Sequence, residues 1–206
     1  MVNVHIEIDE REVLLYEHIL RISQQNTDII ITKKVLPLGD VVIYMTNMTD
    51  TTETQEDTEK VPVAVIERKT FQDLFASIKD GRYQEQSYRL LHSKFIHSPH
   101  SVIYLIEGMI TRLKDHEQSL LYSSIASLNM YKGFSVYRTA HMQETADFVF
   151  SVAKKVWKNA KERKEFPLCY RPQNDQELDP SIETPTNHIP TPPPYSSVVE
   201  IGRAHV

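Results

Sequence analysis

The sequence predicts an α/β fold, a mixed central sheet flanked by helices. Short runs rich in β-branched residues recur between residues 4 and 138, and amphipathic stretches separate most of them. One pair of runs, 41–45 and 63–69, has only a polar segment between them. Alternating strands and helices make a layered α/β domain. Consecutive strands without a helical crossover pair antiparallel, so the sheet is mixed.

Each element has its own signal. Residues 4–8 alternate and read as a strand. Residues 10–25 carry Val13, Leu14, Tyr16 and Ile19 with no Gly or Pro, and read as a helix. Residues 29–31 are a short strand, Pro37-Leu38-Gly39 a turn, and 41–45 a strand. Residues 47–60 are rich in Thr, Glu and Asp without apolar periodicity, hence a solvated acidic loop. After the strand 63–69, Thr70 caps a helix with Phe71, Leu74, Phe75 and Ile78 on one stripe. Gly81 breaks it, and a second helix covers 82–95. A strand at 101–107, a helix at 117–131, a strand at 134–138 and a long helix at 143–161 complete the pattern. Residues 1–164 therefore form one domain. Residues 165–206, which hold most of the prolines, read as a disordered tail.

Composition narrows the functional classes. No apolar run approaches the roughly 18 residues that span a bilayer, and the N-terminus has no secretory pattern. The single cysteine, Cys169, excludes an internal disulfide and fits a reducing compartment, nucleus or cytoplasm. The net charge of −5 is concentrated. Residues 50–60 hold five acidic groups against one Lys, and residues 166–206 hold five against two. The remainder is mildly basic, which permits contact with DNA.

The chemistry-bearing segment is Glu67-Arg68-Lys69. On a strand, Glu67 and Lys69 share one face and Arg68 points to the other. Asp40 opens the preceding strand of the same hairpin and can lie beside Glu67. Two carboxylates and a Lys at a sheet edge suit a hard divalent cation and a polarised water. Such triplets are common on solvated surfaces, but this one ends an apolar strand and precedes an amphipathic helix, the edge where ligand sites of open α/β sheets lie. Asp73 falls in the first helical turn, where the dipole favours a carboxylate, within reach of Arg68 or Lys69.

These residues resemble the GD…ERKxxxD signature of the XPF/MUS-type structure-specific endonuclease family. The likeness continues through Asp73-Leu74-Phe75-Ala76-Ser77-Ile78-Lys79-Asp80-Gly81-Arg82-Tyr83-Gln84-Glu85-Gln86, the strand at 102–107 and Gly133-Phe134-Ser135-Val136-Tyr137-Arg138-Thr139-Ala140. Within the family it is similar to catalytic subunits of MUS-type crossover-junction endonucleases. The resemblance implies a restriction-endonuclease-like core and Mg²⁺- or Mn²⁺-dependent hydrolysis of phosphodiester bonds near branches, flaps or junctions, leaving 5′-phosphate and 3′-hydroxyl ends. It implies Asp40 and Glu67 as metal ligands, Lys69 as the catalytic lysine, and Arg68 and Asp73 as essential. The family's acidic strand motif, set against Ile6-Glu7-Ile8-Asp9-Glu10, makes Glu7 a further metal carboxylate and Glu10 its support, with Asp9 where the family has Arg. Arg82, Gln86 and Arg89 share a helix face at i, i+4, i+7 and are candidate DNA contacts.

The resemblance also implies a homodimer, or a heterodimer with a paralogous subunit, with Leu121, Ile125 and Leu128 together with the last helix as interface candidates. The family's tandem helix-hairpin-helix module is not found in the Pro-rich residues 165–206, so it is either lacking or truncated away. Pro192-Pro193-Pro194-Tyr195 matches a ligand of WW domains. His92, His97 and His100 read as a surface loop. The alternatives are a non-catalytic scaffold subunit, whose paralogues lose the acidic and Lys positions kept here, an adaptor acting through the tail, and a hydrolase of another phosphodiester.

Overall fold

The computed structural model describes residues 2–24, 28–47, 60–93 and 98–162. The acidic loop, the tail with Pro192–Tyr195, His97 and the expected end of the second helix at Phe95 lie outside the described residues.

The strands are β1 (Val2–Asp9), β2 (Ile29–Lys34), β3 (Val41–Asn47), β4 (Lys60–Thr70), β5 (Val102–Glu107) and β6 (Ser135–Thr139). The helices are α1 (Val13–Ser23), α2 (Phe71–Lys79), α3 (Arg82–Leu91), α4 (Asp115–Ala126) and α5 (Met142–Lys161). They form one six-stranded sheet in the order β2-β1-β3-β4-β5-β6. The β1–β3 and β3–β4 pairs are antiparallel, and β1–β2, β4–β5 and β5–β6 are parallel. The sheet is therefore mixed, as the helix-free connection between β3 and β4 requires.

Alternation builds a core on each face. Val4, Ile6, Ile8, Ile43 and Leu105 face α1 and α5, meeting Leu15, Ile19, Ala146, Val149 and Ala153. Val42, Val65, Tyr104 and Ile106 face α2, α3 and α4, meeting Leu74, Leu90 and Leu121. The β3–β4 register shifts between Ile43 and Tyr44, which pair with Ala64 and Pro62. Pro62 has no N–H for the ladder, so Val63 is bulged out there. Beyond the bulge Val41 pairs with Ile66, which brings Asp40 to the level of Glu67.

Helix ends follow local chemistry. Thr70 caps α2 by accepting the Asp73 N–H at 3.1 Å. Gly81, at φ +78°, turns the chain from α2 into α3. The first helix starts at Val13, three residues later than its periodicity predicts. Asp9 accepts the Arg11 and Leu36 N–H groups, both near 3 Å, and the Glu12 N–H donates to the Asp9 carbonyl at 3.0 Å. These bonds hold residues 10–12 in a turn. After α4 the chain continues as a π-helical turn over Ser127–Tyr131.

The expected interface residues are placed differently. Leu121 and Leu128 are fully buried in the core beneath α4, and Ile125 packs against it, on the face opposite α5. Leu121 and Leu128 are satisfied within the chain and are not available to a partner, while Ile125 is partly buried. Met142, Ala146, Val149, Ala153, Val156 and Ala160 pack on the other face, while Phe148 stacks on Tyr137 at 3.9 Å. Leu121→Ala should therefore destabilise the chain by about 2–5 kcal/mol. Melting measured over a wide range of protein concentration should show the same loss throughout; a loss confined to dilute protein would return Leu121 to an interface.

Candidate active site

The C-terminal ends of β1 and β4 and the start of β3 open on a cleft of about 600 Å³, bordered by α2 and α3. Its lining includes Asp9, Glu10, Asp40, Glu67, Lys69, Asp73, Arg82, Gln86 and Arg89. Most of the residues that the sequence selects are thus gathered at one end of the sheet.

Asp40 is fixed by main-chain bonds on both sides. Its N–H donates to the Ile66 carbonyl and its carbonyl accepts the Asp9 N–H, each at 2.8 Å. Its carboxylate accepts the Arg68 N–H at 2.8 Å. Gly39 makes this approach possible: at φ +73°, a Cβ there would lie 2.6 Å from Val65 Cγ1 and 3.1 Å from the Ile66 carbonyl oxygen. Glu67 lies on the next residue of β4 and is 9% exposed. Burial, then the charge of Asp40, pushes the Glu67 carboxyl up to about 7. Burial likewise raises Asp40 above the usual carboxylate range. Lys69, on the same face, donates to Glu67 at 3.3 Å and to Gln86 of α3 at 2.6 Å.

Other expected residues have different surroundings. The Arg68 side chain turns to the far face and bonds Glu107 and Glu12. Asp73 accepts the Thr70 hydroxyl at 2.6 Å and so serves the helix cap. Arg82 pairs with Asp80 at 2.9 Å on an exposed part of the rim. Glu7 does not line the cleft. Its carboxylate accepts from Lys34 and Lys60, both at 2.8 Å. Burial works to raise it, but those two lysines hold it below the ordinary carboxylate range. Asp9, two residues on along the same strand face, occupies the cleft instead and is bonded to Arg11. The sequence motif assigns no site role to Asp9, Arg11 or Glu107. The available signals were the period-2 face shared by Glu7 and Asp9, and the position of Glu107 at the end of β5 beside Thr70.

The donor set fits a divalent cation. Two buried carboxylates that repel each other would exchange that repulsion for attraction on sharing a hard ion. Tyr104 adds a second sign. It is the Cα partner of Glu67, fully buried, and its hydroxyl has no hydrogen-bond partner. Burial, then the Glu67 charge, raises the phenol's pKa, so it stays a neutral donor beside the carboxylates. Among the described residues no group of three or more His, Cys, Asp or Glu could hold an ion alone. Asp40 and Glu67 would act as a two-carboxylate site completed by water and phosphate oxygens, the mode common for Mg²⁺.

Comparison with known proteins places the chain in a family. The family model described as the ERCC4 domain matches residues 8–152, starting one residue past Glu7. A crossover junction endonuclease MUS81 from Gibberella zeae is 38% identical over 87 residues, 41% of this chain and 14% of the relative. The structure-specific endonuclease subunit MUS81 from Rattus norvegicus is 32% identical over 125 residues, 60% of this chain and 22% of the relative. This chain thus spans less than a quarter of either protein's length. A solved structure of XPF from Aeropyrum pernix in complex with DNA superposes with a TM-score of 0.53 at 25% identity, covering 75% of this chain and 65% of that one.

Two outcomes check the site. Gly39→Ala should cost about 1–2 kcal/mol for its left-handed backbone alone, plus the clash with Val65, and should weaken divalent-cation binding measured by calorimetry. The pH dependence has a fixed sign. The Glu67 pKa of about 7 lies above that of an unfolded carboxylate, so the folded chain binds this proton more tightly. Without metal, the Glu67 contribution to stability falls as pH rises from about 4.5 to about 7. Glu67→Gln should flatten that slope in denaturation curves, and Mg²⁺ should oppose it in the parent chain.

Proposed function

The chain belongs to the ERCC4-domain family, which includes XPF- and MUS81-type nucleases, and from that membership we propose that its cleft hydrolyses phosphodiester bonds in branched or flap DNA with Mg²⁺ or Mn²⁺. One observation carries the reading. Asp40 and Glu67 stand together in a cleft that Arg82 and Arg89 also line, with Lys69 held on the same strand face.

A divalent ion, when bound, would neutralise charge developing on the phosphate and lower the pKa of water. Asp40 and Glu67 would hold it. Lys69 is anchored by Glu67 and Gln86 so that its amine reaches the attacking water or a non-bridging phosphate oxygen. Gln86 therefore positions Lys69, a role distinct from the phosphate contact expected of it. Arg89 and Arg82 on the α3 side supply positive charge for the DNA backbone. Because burial lifts Glu67 to about 7, its carboxylate is ionised and ready for metal only above neutral pH or with the ion in place.

This composition of parts favours catalysis over a scaffold role, because a subunit that only binds DNA has no need to keep two repelling carboxylates buried. Pairing with a second nuclease-fold subunit, and binding of a WW-domain protein to Pro192–Tyr195, are proposed as partner roles separate from the chemistry.

The test uses labelled 3′-flap, fork and linear duplex DNA with Mg²⁺, Mn²⁺ or EDTA. Asp40→Asn and Lys69→Ala should each lower cleavage at least about a hundredfold. Arg89→Ala should mainly weaken DNA binding, most at low salt, and should make the affinity less steeply dependent on salt by about one phosphate contact. Metal-dependent cleavage that survives both Asp40→Asn and Lys69→Ala would sink this assignment. Binding without cleavage, even beside a candidate partner, would favour the scaffold.

A further inference from the structure

Arg68 lies between Glu67 and Lys69 in sequence, yet its side chain leaves their face. Strand alternation sends it to the side covered by α1 and α5. There Nη2 and Nε donate to the two carboxylate oxygens of Glu107 at 2.8 and 3.1 Å, a bidentate pair. Nη1 donates to Glu12 at 3.2 Å. Glu107 is fixed in turn, accepting the Thr145 hydroxyl at 2.7 Å, and Thr145 shares a 2.7 Å hydrogen bond with Thr139. The side chains of Arg68 and Glu107 are each 12% exposed, and Thr145 is fully buried. Burial works to raise the Glu107 carboxyl, but the bonds from Arg68 and Thr145 hold it below the ordinary range. The ends of β4, β5 and β6 and the first turn of α5 are therefore joined through one cation.

The main chain of Arg68 does a different job. Its N–H donates to the Asp40 carboxylate on the cleft side, at 2.8 Å. Residue 68 borders the cleft, but all three guanidinium nitrogens are engaged by Glu107 and Glu12, so the side chain meets DNA only by giving up a largely buried ion pair. A guanidinium locked on the far face fixes the backbone of residue 68, and with it the direction of the N–H that holds Asp40. Truncating a partner of a buried charged pair leaves the other charge uncompensated, so the clamp is stiff.

We propose that Arg68 is a positioning residue, and that Glu107, Glu12 and Thr145 act through it from the far face to set the carboxylates of the cleft. The kinetic side of this rests on the phosphodiesterase reading above. The structural side, a fixed amide at residue 68, does not.

The experiment compares the parent chain with Arg68→Lys, Glu107→Gln, Thr145→Val and the double variant Arg68→Lys/Glu107→Gln. Three quantities are read: single-turnover cleavage of fork DNA at saturation with Mg²⁺, DNA affinity with Ca²⁺, and hydrogen exchange of the Arg68 amide without DNA or metal. Arg68→Lys and Glu107→Gln should each slow cleavage by up to about a hundredfold. The affinity for DNA should stay within about threefold. The double variant should be no slower than the worse single one, because both break one clamp. The Arg68 amide should exchange at least about tenfold faster in Glu107→Gln, with amides of β2 unchanged. Weaker DNA binding with normal turnover in Arg68→Lys would overturn the proposal. So would additive losses, or unaltered protection of the Arg68 amide. Thr145→Val keeps the guanidinium–carboxylate pair and removes the hydroxyl bonds to Glu107 and Thr139, and its smaller change in the same amide decides the matter if the charged variants melt early. A parent chain that cuts no DNA would refute the nuclease reading, and the exchange measurement would still judge the clamp.

Discussion

The structure depends on the way Asp40 is tied into the sheet. Its backbone bridges Asp9 of β1 and Ile66 of β4, and its carboxylate takes the N–H of Arg68. Three strand ends are thereby fixed around one acidic side chain. This placement is unfavourable by itself, since burial and the neighbouring Glu67 both oppose a second ionised carboxylate there. It persists because the apolar layers on both faces of the sheet hold the backbone rigidly. A loop could not keep two repelling carboxylates at this distance from water, whereas a six-stranded sheet with two cores does.

The two faces of β4 do complementary work. On the cleft side Glu67 and Lys69 meet α3 through Gln86. On the far side Arg68 meets α1 and β5 through Glu12 and Glu107. A period of two residues lets one tripeptide address both layers at once. On the far side the bonds from Arg68 and Thr145 hold Glu107 ionised, while on the cleft side burial raises both Asp40 and Glu67. That asymmetry marks the cleft, and not the equally polar far cluster, as the place for a cation and an anionic substrate.

Much of the fold was legible because its elements are locally consistent. β-branched runs became strands, the stripe from Phe71 to Ile78 became α2, and Thr70 became its cap. The central pair Asp40 and Glu67 was legible too, since a hairpin without a helix leaves few ways to arrange its strands. Other features were not. Glu7 and Asp9 have the same strand parity, so alternation cannot choose between them. The choice came from Lys34 and Lys60, which draw Glu7 away, and from the turn that seats Asp9 beside Arg11. Leu121 and Leu128 read as a partner surface because an apolar stripe looks the same whether it meets another chain or its own sheet.

By itself, then, the sequence determined the strand–helix alternation, the mixed sheet, and the carboxylates and lysine of the cleft, because all of these follow from periodicity and from a compact, ordered motif. Only the tertiary structure decided which acid enters the cleft beside them, that Gln86 holds Lys69, that Arg68 works from the opposite face through Glu107, and that the α4 stripe is core. Each of those depends on residues 17 to 39 or more positions apart meeting in space. Such meetings are fixed by the strand register and by the bulge at Pro62, which no local pattern in the sequence records.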